Sequence, residues 1–405
     1  MKDSEALAWL YGTQLIGIKL GLEGTHRLLE VLEVDVSHWT VWHVAGTNGK
    51  GSVCACLESV LRTSGRRTGL FTSPHLISFR ERIRLGFVPV EPEVVTDGIV
   101  RLRELVQGWD PHPTFFELTT ALALRAFQDA GIDDLILETG MGGRLDATNA
   151  IPSDISIITS IGFDHQKWLG DTLGKIAAEK AGIFKPGVPA VIPGNLPLEA
   201  AEVIRSRAKE VGSPLTEVRE PLGDDWPGGL RGPHQRWNAA LAVTALRILR
   251  PGLEESGLRL GIAGARWPAR FQVFEQKDRT LVVDGAHNPE AARTLVATWR
   301  EEFGGRRPVL IFGTVGDKDA VAMFSCLRAL AERVIFTSVP TERGRDGAEL
   351  AAELGLAPGD CVIEDVGRAL AAASSGWVLV AGSLYLAGKV LEELQPGESF
   401  EPSLQ

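Results

Sequence analysis

Cysteine is scarce in this chain: four in 405 residues, Cys54, Cys56, Cys326 and Cys361, with no Cys-x-x-Cys pair among them. A disulfide framework would be unusual for so long a sequence, so buried free thiols are expected. Apolar runs of about 18 residues, the length that spans a bilayer, are absent. The first thirty residues scatter Lys2, Asp3, Glu5 and Lys19 among apolar positions, which excludes the uncharged core of a signal peptide. Net positive charge is lacking as well. At −10 the chain has no broad field for nucleic acid or an anionic membrane, although a local loop can still hold a small anion. No Gly-x-Gly-x-x-Gly opens the first strand–helix unit and no Asn-Lys-x-Asp follows it, which weighs against a dinucleotide dehydrogenase and a GTPase. There is no low-complexity tract and no fixed repeat. What is present is the composition of a globular enzyme, 44% hydrophobic and 23% charged, with a cytoplasmic location expected. Its length predicts two domains.

The segment TVWHVAG (40–46) is β-branched, apolar and closed by glycine, and reads as a buried strand. After a glycine-rich loop, residues 52–65 place Val53, Cys56, Leu57, Val60 and Leu61 at helical spacing before Gly65. The alternation recurs in strand-like runs at 134–140 and 154–162, then in a helix over 171–182 with Asp171 or Thr172 as cap and Gly182 as stop. Residues 220–235 are a Pro/Gly-rich loop without regular structure, and a helix is expected at about 237–250. A second weak stretch, 260–271, marks the hinge. Beyond it TLVVDGAHNP, PVLIFGTVGDKD, RVIFTSVP and GWVLVAGS are four further strand-like runs, separated by helical patterns such as EAARTLVATWREEF. Two α/β domains with parallel sheets follow from this order.

The loop AGTNGKGS (45–52) carries Gly49-Lys50 of a phosphate-binding loop, but Val44 stands where the first glycine belongs and Gly51 separates Lys50 from the hydroxyl of Ser52. With the hydroxyl displaced, a metal on the phosphates needs another oxygen ligand nearby. Candidates at the ends of the parallel strands are Ser73, Glu138, Asp164 and His165. Ser73, Glu138 and His165 with phosphate oxygens would suit Mg²⁺ or Mn²⁺.

HVAGTNGKGS, TSPHL, LETGMGGRLDATN, DHQKWLGDTLGKIAAEKAGI, DGAHNP and AGSLYLAG together resemble the folylpolyglutamate synthase/dihydrofolate synthase family of the Mur ligase superfamily, from about Gly17 to Gly388. GTNGK and AHNP indicate the superfamily; TSPHL, GGRLDATN and GSLYL point to the folate branch. The resemblance implies a P-loop parallel-sheet ATPase domain carrying the folate or pteroate site (1–264), a hinge (265–270) and a smaller Rossmann-like α/β domain for glutamate ligation (271–405). The implied activity is ATP-dependent amide formation between L-glutamate and a dihydropteroate or folate carboxylate, through an acyl phosphate, by a monomer with only small-molecule partners. Thr47, Asn48, Gly49, Lys50, Gly51 and Ser52 then hold the ATP phosphates, and Ser52, Ser73, Glu138 and His165 the metal. Lys180 matches a lysine that family members carbamylate, which would make it a further metal ligand; on the residues alone it is a cation at a helix end. Asn238, Arg270, Asp284 and His287 resemble nucleotide contacts, and Lys50, His165, Lys180 and Arg270 the catalytic set, with Arg270 acting on domain closure. Thr114, Phe116, Asp146 and Ala147 are implied to line the pterin pocket, Phe116 suiting a core position equally well. Asp317, Lys318, Ser383 and Tyr385 are implied to lie near the incoming glutamate.

The sequence departs from the family pattern twice. GLER appears as GLEG (21–24), losing an arginine for which Arg27 is the nearest substitute, and WPGR as WPAR, with Ala269 for a glycine that would leave the hinge looser. Two other readings stay open, a Mur-type ligase acting on a different carboxylate and a nucleotide-binding regulatory module without turnover.

Overall fold

The structure is a computed structural model that describes residues 3–17, 21–316 and 318–394. It divides into two compact units. The first takes residues up to 75, 79–229 and 235–266; the second takes 76–78, 230–234 and what is described from 267 onward.

In the first unit the described strands are β1 (Thr40–Ala45), β2 (Thr68–Phe71), β3 (Ile83–Leu85), β4 (Val88–Pro89), β5 (Asp134–Glu138), β6 (Ile155–Ile158), β7 (Ala190–Pro193) and β8 (Leu215–Val218). They form one sheet in the order β4-β3-β2-β5-β1-β6-β7-β8. Strands β2, β5, β1, β6, β7 and β8 run parallel, while β3 and β4 close one edge antiparallel. The chain leaves β1 for β2 on one side, inserts β5 between them, and only then crosses to β6 on the other. The carboxyl end of β1 is therefore the switch point of the sheet, the place where open α/β sheets present a crevice.

Both faces of this sheet are covered, so its central strands are largely apolar without alternation. On one face Phe71, Leu135 and Leu137 pack with Leu118, Leu122 and Phe127 of the helix Phe115–Ala130. On the other Ile158 and Ile192 pack with Ile176, Ile183 and Ile204. The helix Lys50–Thr63 is buried nearly all round, beyond the single apolar stripe that its spacing predicts. Its packing against the helix Glu255–Gly264 is tight because Gly261 lacks a side chain: a Cβ there would fall 2.5 Å from the Cα of Val60, and Ser59 Oγ donates to the Gly261 carbonyl at 2.7 Å.

The second unit contains β9 (Gln272–Glu275), β10 (Arg279–Val283), β11 (Val309–Phe312), β12 (Arg333–Phe336), β13 (Cys361–Val362) and β14 (Gly376–Ala381), ordered β13-β12-β11-β14-β10-β9. All pairs are parallel except β10 with β9. Successive residues of β11 alternate between two cores: Leu310 and Phe312 join Val282, Trp299 and Phe336, whereas Val309 and Ile311 join Leu281, Ile335 and Val380. This is the period-two consequence of the pleat in a sheet buried on both faces.

The α/β class and the parallel core agree with the sequence reading; the antiparallel edges were not anticipated. Thr172 caps the helix Leu173–Ala181, its side chain accepting from Lys175 N, and Gly182 ends it. The helix expected at about 237–250 begins earlier, at Pro233, whose fixed φ suits a first turn. Of the four thiols expected to be buried, Cys54 and Cys56 are; Cys326 and Cys361 are half-buried.

The amino ends of β1 and β5 are held by an ionic cluster. Asp134, fully buried, accepts from Trp42 Nε1 (3.0 Å), Arg66 Nε (2.6 Å) and Arg250 Nη2 (2.9 Å), and Arg250 also donates to Thr40 Oγ1 (2.7 Å). Removing the carboxylate would leave two guanidinium groups facing a buried, unpaired site. Asp134→Ala is expected to lower unfolding free energy by about 3 to 5 kcal/mol, measured by urea unfolding; a loss below about 1 kcal/mol would put the cluster among ordinary surface pairs.

Candidate functional site

The loop after β1 is stapled to the end of β6. Thr47 N donates to the Ser160 carbonyl (2.9 Å), and Asn48 N to Ser160 Oγ (2.9 Å). Thr159 Oγ1 and Ser160 Oγ both donate to the Asn48 carbonyl, at 2.6 and 3.0 Å. Thr47 Oγ1 donates to the Gly162 carbonyl (3.1 Å) and accepts from Gly162 N (3.0 Å). A Cβ at Gly46 would lie 1.9 Å from Thr159 Oγ1, so this approach requires glycine. Gly49 then turns the chain at φ 87°, left-handed, to start the helix Lys50–Thr63. A Cβ at Gly49 would fall 2.6 Å from Asn238 Oδ1, which brings the first-unit residue Asn238 onto the loop. The amides of Lys50, Gly51 and Ser52 form the first turn of a helix and have no intrahelical acceptor, which is the ordinary construction of an anion site.

Two ammonium groups converge on one carbonyl beside that turn. Lys50 Nζ donates to the Gly46 carbonyl at 3.1 Å and to that of Thr47 at 3.5 Å. Lys180, from the last turn of the helix Leu173–Ala181, is buried and donates Nζ to the same Gly46 carbonyl at 2.8 Å. Burial, then the nearby Lys50 charge, lowers the Lys180 pKa to about 7, against the opposing pull of Asp164 and Asp146. Ser52, whose hydroxyl the sequence places one residue late, is buried in the first helical turn.

Of the expected metal ligands, Ser73 and Glu138 are brought together: Ser73 N donates to Glu138 Oε2 at 3.2 Å, from the ends of neighbouring strands β2 and β5. Glu138 also pairs in register with Val44, at the edge of the phosphate loop. His165 is exposed, with φ 51°, at the start of the short helix Gln166–Leu169, and its amide donates to Asp164 Oδ1 (2.9 Å). Among the described residues no three His, Cys, Asp or Glu side chains are grouped to hold a metal ion. One carboxylate, a hydroxyl and an imidazole fit a hard divalent cation only if phosphate oxygens or another oxygen donor complete the shell.

Of the residues implied for the pterin, Phe116, Asp146 and Ala147 lie at the turn after β5, and Thr114 stands just before Phe116 at the helix start. Thr114 caps the helix Phe115–Ala130 in a reciprocal box with Glu117, Glu117 N donating to Thr114 Oγ1 (3.3 Å) and Thr114 N to Glu117 Oε2 (2.8 Å). Phe116 lies over Gly140, where a Cβ would fall 2.5 Å from its Cζ, and tilts against Phe71 at 5.9 Å. Asp146 Oδ2 accepts from Met141 N (2.9 Å), and its Oδ1 from Thr148 N (3.1 Å) and Thr148 Oγ1 (2.5 Å). Burial raises the Asp146 pKa against these donors. Ala147 follows, buried, in a short 3₁₀ turn. At the GLEG departure, a Cβ on Gly24 would meet Glu117 Oε1 at 2.2 Å: the carboxylate occupies the space of the lost side chain. Arg27 does not replace it there, because its guanidinium stacks on Trp109 at 3.6 Å.

In the second unit, Asp284 follows β10 with Oδ2 accepting from Phe271 N and Oδ1 from Ala286 N, both at 2.8 Å; burial raises its pKa while Arg270 opposes. Arg270 Nη1 donates to the Ala269 carbonyl (3.0 Å), and His287 Nδ1 lies 2.8 Å from the Gly285 carbonyl. Ala269, the second departure, is buried at φ 53°, a left-handed conformation that costs a non-glycine residue about 1 to 2 kcal/mol. Ser383 Oγ accepts from Tyr385 N (3.1 Å), so this serine, expected near glutamate, holds the start of the helix Leu384–Leu394. Lys318 is half-buried; Asp317 lies outside the described residues.

Sequence reasoning missed Thr159 and Ser160, the staples of the phosphate loop. Their signal was a pair of hydroxyls at the end of the run 154–162.

Family profiles match residues 44–211 as "Mur ligase middle domain" and residues 269–384 as "Mur ligase, glutamate ligase domain". The dihydrofolate synthase/folylpolyglutamate synthase of Bacillus subtilis is 33% identical over 96% of this chain and 99% of its own length. The structure is similar to that of Escherichia coli FolC in complex with DHPP and ADP, with a TM-score of 0.86, 31% identity and coverage of 97% and 98% of the two chains. It is also similar to a bifunctional folylpolyglutamate synthase/dihydrofolate synthase with Mn, AMPPNP and L-glutamate bound, at a TM-score of 0.83, 32% identity and coverage of 96% and 98%. The chain belongs to the folylpolyglutamate synthase/dihydrofolate synthase family of Mur ligases and is an ATP-dependent acid–amino-acid ligase.

Proposed function

We propose that this ligase joins the amine of L-glutamate to the carboxylate of a dihydropteroate or a reduced folate, releasing ADP and phosphate. The observation that carries the reading is the pair of ammonium groups gathered on the Gly46 carbonyl beside an open helix amino terminus. A carboxylate is a poor electrophile. Its oxygen attacks the terminal phosphorus of ATP, ADP leaves, and the acyl phosphate now carries a good leaving group; the glutamate amine attacks the acyl carbon, phosphate departs, and the amine proton passes to solvent. Lys50 and the amides of residues 50–52 stabilise the charge that grows on the phosphoryl oxygens. Ser52, Ser73, Glu138 and His165 would hold Mg²⁺ or Mn²⁺, which supplies charge neutralisation on the phosphates.

Thr47, Asn48, Asn238, Arg270, Asp284 and His287 are assigned to the nucleotide. Thr114, Phe116, Asp146 and Ala147 are assigned to the pterin, and Asp317, Lys318, Ser383 and Tyr385 to glutamate. Lys180 is assigned as a carbamate. Its amine is poised for that chemistry: nitrogen bonds to the carbon of CO₂ and one proton is released, giving an oxygen ligand for the metal and an anion beside Lys50. Cytoplasmic location, a monomeric state and the absence of a nucleic-acid or membrane partner complete the proposal; among the described residues no helix is long and apolar enough to cross a membrane.

ADP release is expected to require ATP, glutamate and a pteroate or folate together, and Lys50→Ala is expected to lower kcat about 10² to 10³-fold. Release that is independent of glutamate, or that prefers a UDP-sugar carboxylate, would overturn the substrate assignment. The carbamate has a separate readout. Because Lys180 is neutral only above its lowered pKa of about 7, a ¹³C-bicarbonate carbamate resonance is expected to grow as pH rises from 6 to 8 and to vanish in Lys180→Met. A resonance of unchanged intensity in that variant, or none at pH 8, would contradict the assignment. The unmodified amine also opposes folding, increasingly as pH falls from the usual lysine range near 10.5 to about 7, where the unfolded chain is protonated and the folded one is not.

A further inference from the structure

His43 sits in the middle of β1, fully buried, yet it belongs neither to the phosphate loop nor to the apolar cores. Its Nε2 lies 2.8 Å from Thr148 Oγ1. Thr148 Oγ1 in turn donates to Asp146 Oδ1 at 2.5 Å, alongside the backbone amide of the same threonine at 3.1 Å. A hydroxyl has one proton, and this one is directed at the carboxylate; Thr148 therefore accepts from His43, which fixes the imidazole as the Nε2–H tautomer. The other nitrogen, Nδ1, is buried without a partner. Burial and the neighbouring Lys185 charge lower the His43 pKa to about 3, so the ring stays a single, neutral donor.

The opposite oxygen of Asp146 is held from the other side. Met141 N donates to Oδ2, and the Gly140 amide also bonds to this carboxylate, so a ligand N–H would share its oxygens with two consecutive backbone donors that fix their direction. Residue 140, next in the chain, is the glycine covered by the ring of Phe116. An aromatic face and a fixed carboxylate are thus joined to consecutive backbone positions. The rest of the DATN turn is clamped too: Lys185 Nζ donates to Asn149 Oδ1 at 2.8 Å, and Asn149 Nδ2 to the Arg144 carbonyl at 2.9 Å.

We infer that His43 and Thr148 are positioning residues for the pteroate: a relay from a central strand orients the Asp146 carboxylate toward the N–H groups of the heterocycle and sets affinity for that substrate without touching it. The inference rests on the assignment of Asp146 to the pterin. A purely structural pair would lower stability and weaken both substrates alike, whereas a relay moves one Michaelis constant.

Steady-state kinetics with dihydropteroate, or with the reduced folate that supports turnover, separate the cases, with thermal unfolding recorded for each variant. Thr148→Val is expected to raise KM for the pteroate about ten-fold and His43→Leu about three-fold, with KM for ATP unchanged. Thr148→Ser and His43→Gln, which restore a hydroxyl and an Nε donor, are expected to recover most of that loss. If Asp146→Asn raises the pteroate KM but Thr148→Val and His43→Leu do not, or if they raise both Michaelis constants equally, the relay is wrong while the Asp146 assignment stands. If Asp146→Asn leaves the pteroate KM unaltered, the assignment itself fails. Should Thr148→Val not fold, the contrast between His43→Leu and His43→Gln decides the matter.

Discussion

One carbonyl oxygen organises the candidate site. The Gly46 carbonyl receives both the Lys50 and the Lys180 ammonium groups, which hold two like charges close together in a partly buried place. Like charges so placed repel unless an anion joins them or one of them is discharged. The Lys180 pKa, lowered by burial and then by the Lys50 charge, is the second response, and a phosphate chain on the loop would supply the first. The neighbouring geometry follows from this requirement. Gly46 has no side chain because Thr159 must come within contact of its Cα to hold the loop, and Gly49 has none because the helix must start abruptly with its amides facing the same space.

The sheet order puts these parts within reach of each other. With β5 and β6 on either side of β1, the loops that follow all three strands open at one edge, so Glu138, the 45–52 loop and the 159–165 segment come together although they are far apart in the chain. The pterin candidates use the same edge by a different route. Phe116 arrives from the first turn of a helix and Asp146 from the turn after β5, and both are fixed by contacts with residues 140 and 141. Binding and chemistry are thereby built on loop ends whose positions are set by buried strands, which is where precision is least affected by loop motion.

Much of this was legible before any coordinates. Apolar runs closed by glycine mark β1, β5, β6, β10, β11 and β14, and one closed by proline marks β12, because strands buried on both faces leave an unbroken hydrophobic signal. The short strands β3, β4, β8 and β9 left none: β4, β8 and β9 are edge strands with exposed positions, β3 is only three residues long next to the edge, and Arg84, Pro89, Glu217 and Glu275 interrupt them. For the site, the irregular loop and Lys50 were legible from spacing. Lys180 was legible only through the family resemblance: on its residues alone it reads as a helix-end cation, and the structure adds that it is buried against the Gly46 carbonyl. Thr159, Ser160, His43 and Thr148 act through partners roughly a hundred residues away, contacts that no local pattern encodes. At Gly24 of GLEG the Glu117 carboxylate fills the space beside the backbone, a contact visible only where two helices meet.

The central claim, that Lys50 and Lys180 act on the nucleotide as one unit through their shared carbonyl, is tested most directly by a double-mutant cycle. ADP affinity would be measured by calorimetry for the parent enzyme, Lys50→Met, Lys180→Met and the double variant. Non-additive losses, with a coupling free energy larger than about 0.5 kcal/mol, are the expected result. Losses that sum within that margin would show that the two side chains, whether Lys180 is a free amine or a carbamate, act independently on the nucleotide and would contradict the account.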